Sequence, residues 1–361
     1  MSNSKRQAAS ILDVARAARV SIATVSRVIN NQPVVAEATR RRVSQVIRSL
    51  DYIPSVAARS LKLRPSRLVG LLVPDIENPF YATMAKHVEI AAHKAGVNIV
   101  LGNTGGDPVR EKHYIKILAD RLIDGILLCR TAYRQYRIQD VMGRSIPCVV
   151  LDRYAGRETL PSVRIDNARA GRLAANHLLA LGHTRFACIY ESHKVIPLWQ
   201  RKEAFAEEVR KNGGRVREED CIETGERIND ATAIMKKMLR GSPGRRVSAI
   251  YCSNDLLAFG VMQAVLALGL RIPDDLSIVG TDNVDQCLNM MPKLTTVAQP
   301  FQDIAGKAIE LLLDSREGEF DQDLPIQDVL LAPYLVIRES TGVPRRVEFK
   351  DGLVGRAGRG R

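Results

Sequence analysis

From residue 67 onward, short apolar runs alternate with amphipathic helical stretches, and the chain goes through this alternation twice. "RLVGLLVPD", "VNIVLGNT", "DGILLCRT" and "IPCVVLD" read as strands buried on both faces, since their apolar residues run on without a polar alternate. "YATMAKHVEIAAHKAG" and "REKHYIKILADRL" lie between them with apolar residues at helical spacing. After about residue 168 the pattern resumes, with strands "RFACIYES", "SAIYCSND" and "LSIVGTDN" and helices "AGRLAANHLLALG", "RKEAFAEEVRKNG" and "LAFGVMQAVLALG". Parallel strands need a crossover long enough to hold a helix, so this pattern implies two doubly wound α/β lobes in series. Such lobes take ligands between them, at the carboxyl ends of their strands.

Enzymes use the same architecture, but the motifs that would mark one are missing. No GxGxxG follows a strand, and "GNTGG" has the wrong spacing; GxxxxGK[ST], HExxH and GxSxG do not occur. The six histidines (87, 93, 113, 177, 183, 193) form no metal-ligand spacing. A protein that is not an enzyme and carries no cofactor or metal is expected. An enzyme or a metabolite-binding module with an incidental basic head stays open as the rival. No apolar run reaches the roughly 18–20 residues of a membrane helix, and "MSNSKRQAAS" lacks the apolar stretch of an export signal. Six scattered cysteines, five of them in or beside apolar runs, suit buried thiols in a reducing compartment. A cytoplasmic protein that meets no membrane is the expectation.

The net charge of +13 is concentrated at the ends. Residues 1–67 hold thirteen Lys and Arg against three Asp and Glu, residues 345–361 hold six against two, and the middle is close to neutral. A positive segment on a balanced body is the footprint of a polyanion partner, or simply a solubilising arm. The basic N-terminal segment also has a helical pattern. In "SILDVARAA", Ser10 and Asp13 have capping-box spacing, and Ile11, Leu12, Val14, Ala15 and Ala18 form a stripe. After a turn at Arg19 and Val20, Ser21 can cap a second helix with Val25, Val28 and Ile29 inward and Ile22, Ala23, Ser26, Arg27 and Asn30 outward. A third helix follows in "AEATRRRVSQVIRSLDY". Two short helices joined so tightly make a helix-turn-helix, whose second helix enters the DNA major groove. A three-helix bundle with a solvated polar face fits the same periodicity. "SVAARSL", between Pro54 and Pro65, is too short to be a stable helix alone and would be ordered only by a partner.

"DVARAA", "VS..TVSRV.N" and "V...TR..V......L.Y.P...AR.L" occur in order, and with this the N-terminus resembles the LacI/GalR family of bacterial repressors. The resemblance continues through "GLLVPDIENPFY", "IDN..AG..AA.HL..LGH.RFA.I", "CSNDLLAFGVMQAVLALGLRIPDDLSIVGTDN" and "LTTVAQP", covering residues 10–342. It implies a helix-turn-helix domain at 1–53, a hinge helix and linker at 54–66, and a two-lobed effector-binding and dimerisation domain at 67–344. The lobes would be about 67–167 with 297–328, and about 168–293 with 330–344, with crossings near 167, 293 and 330. The basic tail 345–361 lacks the leucine heptads of a tetramerisation helix, so a homodimer with a disordered tail that adds non-specific DNA affinity is expected. Carried over by position, Ile22, Ala23 and Arg27 would read base edges, while Ser21, Thr24, Ser26 and Asn30 would mostly hold phosphates. Leu61 would wedge into the minor groove of a pseudopalindromic operator in double-stranded DNA, with Ala58 and Lys62 in or beside that groove.

The same carry-over places Asp75, Asn78, Phe80, Asp152, Arg201, Asn254 and Asp282 around an effector cleft. Carboxylates and amides serve hydroxyls, an arginine offers a fork, and Phe80 or Trp199 would cover an apolar ring face. Each acid could instead cap a helix or pair the lobes. The family's usual aromatic before the aspartate of "G.DN" is Thr281 here, which would enlarge the cleft or add a hydroxyl. Arg130 and Arg153 follow strands, and with Arg201 they would make the cleft cationic. The implied protein is a repressor of a carbohydrate-utilisation operon, bound at the nucleoid when on its operator. A sugar acid such as gluconate or a ketogluconate is favoured over a neutral sugar as effector, with a purine as the alternative.

Overall fold

The computed structural model describes residues 10–29, 34–50, 66–120, 123–130, 138–142, 146–153, 160–192, 195–240, 247–317 and 327–344. The chain divides into two compact units, Met1–Ser66 and Arg67–Arg361.

The N-terminal unit holds α1 (Ile11–Ala18), α2 (Ile22–Ile29) and α3 (Glu37–Ser49). The capping box forms as its spacing requires: Ser10 Oγ accepts from the Asp13 amide at 3.3 Å, and Asp13 Oδ2 accepts from the Ser10 amide at 2.9 Å. Arg19 ends α1 in the left-handed region, at φ 50°, and the Val20 amide donates back to the Ala15 carbonyl at 3.0 Å. Ser21 then opens α2, its Oγ accepting from the Thr24 amide at 3.1 Å. The three helices bury Val14, Ala15, Ala18, Val25, Val28 and Val43 in one small core. Leu12 departs from the expected stripe and is 55% exposed. Ile11, Val14, Ala15 and Ala18 already define the inward face, and a residue one step round the helix points about 100° away from it.

The second unit carries two six-stranded sheets. The first contains β1 (Leu68–Val73), β2 (Asn98–Asn103), β3 (Gly125–Cys129), β4 (Cys148–Leu151), β5 (Ser162–Ile165) and β11 (Asp328–Leu331), all parallel in the order β11-β5-β4-β3-β1-β2. The second contains β6 (Arg185–Tyr190), β7 (Arg215–Glu223), β8 (Ala249–Cys252), β9 (Ser277–Asp282), β10 (Thr295–Ala298) and β12 (Tyr334–Val336) in the order β12-β10-β9-β8-β6-β7. Among the described pairings, β12 on β10 is antiparallel.

Helices cover both faces of each sheet, which is why the strand sequences are continuously apolar. In the first lobe, Leu71, Leu127 and Val149 pack with Met84 and Val88 of α4 (Pro79–Lys94) and Ile304 and Ala308 of α11 (Phe301–Glu317). Their neighbours Leu72, Ile126 and Leu128 face the other way, onto Ile115 and Leu118 of α5 (Pro108–Asp120) and Ile138 of α6 (Ile138–Met142). In the second lobe, α7 (Asn167–Ala180) and α8 (Ile196–Lys211) cover Phe186, Cys188 and Tyr251. The opposite face, with Ile189, Ile250 and Ile278, lies under α9 (Ile228–Arg240) and α10 (Asp255–Ala267). All six cysteines are free thiols, five of them buried. No described helix is long and apolar enough to cross a membrane.

The chain passes between the lobes after β5, after β10 and between β11 and β12. The middle passage therefore falls at Gln299 and Pro300, some residues beyond the position near 293 that the resemblance implied. Thr295–Ala298 pairs in parallel with β9 and belongs to the second lobe, while β11, at 328–331, completes the first. β11 is clamped there by Asp328, which accepts from Ser162 Oγ at 2.6 Å and from Arg164 Nε and Nη2 at 3.0 and 2.6 Å.

Candidate functional site

The outward face of α2 offers the groups a DNA groove requires. Ile22 is 44% exposed, Ser21, Ala23 and Arg27 are exposed, and Thr24 and Ser26 are half-buried. The hydroxyls of Ser21 and Thr24 lie 2.9 Å apart, so part of their capacity goes to holding the helix start. Asn30, Ala58, Leu61 and Lys62 lie outside the described residues.

A second site opens between the two lobes of the body. The cleft is open to solvent and is lined by Asn78, Phe80, Tyr81, Asp152, Arg153, Glu191, Val195, Leu198, Arg201, Asn254 and Asp282. Most of the polar groups stand directly after a strand or at the first turn of the following helix, where a doubly wound sheet collects its ligand-binding residues. Asn78 and Asn254 cap α4 and α10, with Oδ1 accepting from Phe80 N at 3.0 Å and from Leu257 N at 2.8 Å. Their amide NH2 groups remain as donors for a ligand.

The buried polar centre belongs to Arg201, which is 1% exposed. Its Nε donates to Asn167 Oδ1 at 2.8 Å, and its Nη1 donates to the Ser253 carbonyl at 2.8 Å and to Asp282 Oδ1 at 3.2 Å. Gln299 Nε2 donates to the same Asp282 oxygen at 2.7 Å. Nη2 of Arg201 has no partner among the described residues and is left for a ligand. Burial pushes the Asp282 carboxyl up, and Arg201 works against that shift.

Asp152 is the clearest unfinished group. It is 8% exposed and sits at φ 66°, and its Oδ1 is a buried oxygen without a hydrogen-bond partner. A buried unpaired acceptor in a left-handed conformation costs free energy, and such residues collect where a ligand supplies the missing donor. Burial also pushes its carboxyl up, opposed by Arg201 and Arg153. Beside it, Arg153 stays charged although burial opposes this, held by Tyr81, Asp152 and Glu191; the Tyr81 hydroxyl accepts a hydrogen bond from the guanidinium. Glu191 faces this group from the second lobe, its carboxyl pushed up to about 7 by burial and by the like charge of Glu226.

Six of the eight expected cleft residues thus meet: Asn78, Phe80, Asp152, Arg201, Asn254 and Asp282. Asp75 is not among the lining residues; its Oδ1 accepts from the Glu77 amide at 3.0 Å in a local turn. Trp199 is 41% exposed and also outside the lining, while its neighbour Leu198 takes the inward place, since one step along α8 turns a side chain by about 100°. Thr281 is fully buried and spends its hydroxyl on Tyr251 Oη at 2.9 Å, so it neither widens the cleft nor lines it. Arg130 is buried outside the lining, and two guanidiniums, Arg153 and Arg201, stand against three carboxyls, so the cleft carries no cationic surplus. Glu191, directly after β6, was findable by the strand-end rule that picks out Asp152 and Asn254. Tyr81 and Val195 carry no comparable signal.

A helix-turn-helix head joined to a two-lobed body of the periplasmic-binding-protein type defines a ligand-responsive DNA-binding regulator. Comparison with known proteins agrees. Residues 10–55 match the family described as bacterial regulatory proteins, lacI family, and residues 175–341 match the periplasmic binding protein-like domain. The ribose operon repressor of Halalkalibacterium halodurans is 36% identical over 335 residues, 92% of this chain and 96% of that protein. The HTH-type transcriptional repressor PurR of Aliivibrio fischeri is 32% identical and covers 92% of this chain and 98% of its own. Among solved structures, a complex of the transcriptional regulator CelR with cellobiose superposes with a TM-score of 0.67 at 27% identity, covering 92% of this chain and 99% of that one. The chain belongs to the LacI family of bacterial transcription regulators, and it is a repressor-type regulator rather than an enzyme.

Proposed function

We propose that the protein is a cytoplasmic homodimer that represses a carbohydrate-utilisation operon, with operator affinity set by a sugar-sized metabolite bound between the lobes. Ile22, Ala23 and Arg27 read base edges of a pseudopalindromic operator, and Ser21, Thr24, Ser26 and Asn30 hold phosphates. Leu61 of each subunit wedges into the minor groove at the centre, flanked by Ala58 and Lys62. An effector that changes the spacing of the two hinge segments shifts affinity only by its differential binding to the two states.

The observation that carries the effector reading is the buried, unpartnered Oδ1 of Asp152 beside the spare Nη2 of Arg201 and the capping amides Asn78 and Asn254. Vicinal hydroxyls satisfy such a set, and Phe80 and Leu198 in the lining supply an apolar surface for one face of a sugar ring. That two of the relatives are named for ribose and cellobiose supports a carbohydrate. A purine is the second reading, favoured by the likeness to PurR and by the Phe80 and Tyr81 rings in the lining.

A gel-shift assay on the DNA upstream of the protein's own gene, with sugars, sugar acids and purines added in turn, tests the proposal. Specific retardation changed by a sugar-class compound is expected. A strictly monomeric protein with no preference for any promoter fragment over competitor DNA overturns it.

A further inference from the structure

The charges that line the cleft do not cancel. Arg201 and Asp282 form an ion pair completed by Asn167, Gln299 and the Ser253 carbonyl, so the Asp282 carboxylate has its donors inside the protein. Arg153 is left against two acids, and its guanidinium also donates to the Tyr81 hydroxyl. These acids come from opposite sides: Asp152 directly follows β4 in the first lobe, and Glu191 directly follows β6 in the second. Both lack donors. Asp152 is 8% exposed, and its buried Oδ1, in the cleft lining, accepts no hydrogen bond. Glu191 makes no hydrogen bond or ion pair among the described residues, and its carboxylate is repelled by Asp152 and by the exposed Glu226.

We propose that the ligand of this cleft is an amino sugar, whose protonated amine bridges Asp152 of the first lobe and Glu191 of the second. The inference rests on the reading of the cleft as the effector site and names the ligand class within it. With every group charged, three carboxylates stand against two guanidiniums, so the lining carries one negative charge in excess. A neutral sugar leaves that excess in place, a sugar acid doubles it, and an ammonium group removes it, in a partly buried space where charges are weakly screened. The hydrogen bonding points the same way. An ammonium group brings three donors and no acceptor, which suits a buried unpartnered carboxylate oxygen facing a second carboxylate without donors. The ring hydroxyls keep Nη2 of Arg201 and the capping amides of Asn78 and Asn254 as partners. A metal ion fits less well, because among the described residues no three carboxylate, imidazole or thiol groups converge as metal ligands must. Since the two acids belong to different lobes, the ammonium also ties the lobes across the cleft.

The test is titration calorimetry of the full-length protein at pH 7 with matched pairs that differ by an amine in place of a hydroxyl. The pairs are D-glucosamine with D-glucose, D-galactosamine with D-galactose, and 1-amino-1-deoxy-D-fructose with D-fructose; D-gluconate is the acid probe. At least one amine is expected to bind about tenfold more tightly than its neutral partner, with the acid weakest of all. Asp152→Asn and Glu191→Gln keep the shape of each side chain and remove its charge, so each should shrink the ratio of amine to neutral affinity severalfold. Glu191→Asp should keep part of the ratio. A neutral sugar or the acid binding as tightly as every amine overturns the inference and leaves the cleft an effector site. An amine preference that survives both Asp152→Asn and Glu191→Gln overturns it too. Binding of none of the probes overturns the carbohydrate reading along with it.

Discussion

Nη1 of Arg201 lies 3.2 Å from Oδ1 of Asp282, and through this pair the ligand cleft is joined to two of the three lobe crossings. Arg201 holds Asn167, at the passage after β5, and Asp282 holds Gln299, at the passage after β10. Both side chains are almost sealed from water, at 2% and 5% exposure. On the proposed effector reading, a ligand that engages the spare Nη2 of Arg201 would act directly on two of the segments that join the lobes.

Arg201→Met should cost about 3–5 kcal/mol of stability, because it leaves the Asp282 carboxylate buried with Gln299 as its remaining donor. Asp282→Asn should cost less, since its amide oxygen still accepts from Arg201 and Gln299. Urea midpoints of the two variants rank them. An Arg201→Met protein as stable as the unaltered one would remove the idea that this pair anchors the crossings.

Gly171 in α7 marks where α7 and α8 touch backbone to backbone. A Cβ there would stand 2.1 Å from the Arg201 carbonyl oxygen and 2.8 Å from the Phe205 amide nitrogen. Neither atom can swing aside as a side-chain tip can. Gly171→Ala should cost about 1–3 kcal/mol and should weaken effector binding too, because α8 carries Arg201. The check is a denaturation midpoint together with calorimetry on the same variant; a loss of neither shows that α7 can drift outward freely.

What the sequence made legible here follows from how much of each signal is local. The buried strands announced themselves because their apolar runs are continuous, whereas the crossing near 167 came from the family resemblance alone. β7, "RVREEDCIE", could not be read so: it is an edge strand with much of its length exposed, and its register with β6 depends on a partner, not on its own pattern. The cleft acids and amides came from the family resemblance by position, and the rule that functional groups gather after strands explains why most of them stand where they do. Trp199 and Thr281 misled for one reason. Type and position in sequence do not say which way a side chain turns, and both are directed away from the cleft by a helical or pleated step. The supposed cationic cleft failed because residue counting picked the arginines and left out the carboxyl partners that neutralise them.

His183 should give the body a measurable dependence on acidity. Its ring nitrogens lie 2.8 Å from Ser248 Oγ and 2.9 Å from the Gly342 carbonyl, which stitches residues 340–344 to the end of the second sheet remote from the cleft. Burial holds its pKa below that of a free imidazole, and the same is true of His177. The unfolded chain therefore binds protons that the folded one refuses, so stability present above about pH 6.5 is lost as the pH falls below that value. Glu191, shifted upward, works in the opposite direction. The comparison to make is between the unaltered protein and His183→Gln, with urea midpoints at pH 7.5 and 5.5. A smaller acid loss in the variant is expected, and equal losses would exonerate His183.

The head separates folding from recognition more cleanly than the body does, and α2 shows why. Val25 and Val28 supply its core contacts, whereas Arg27 is exposed and Ile22 is 44% exposed. Arg27→Ala and Ile22→Ala should therefore change the stability of the head by no more than about 0.5 kcal/mol, as surface substitutions usually do. If these residues meet base edges, loss of a bidentate contact to guanine weakens operator binding by about 1–3 kcal/mol, roughly ten- to a hundredfold, and relaxes discrimination at that base pair. Binding to random DNA should fall far less, because it draws on phosphates and on the whole positive charge of the segment. Fluorescence anisotropy with operator and scrambled duplexes at fixed salt separates the two. Were Arg27→Ala to weaken both duplexes equally, Arg27 would be a phosphate contact and the base-reading role would pass to other residues of α2.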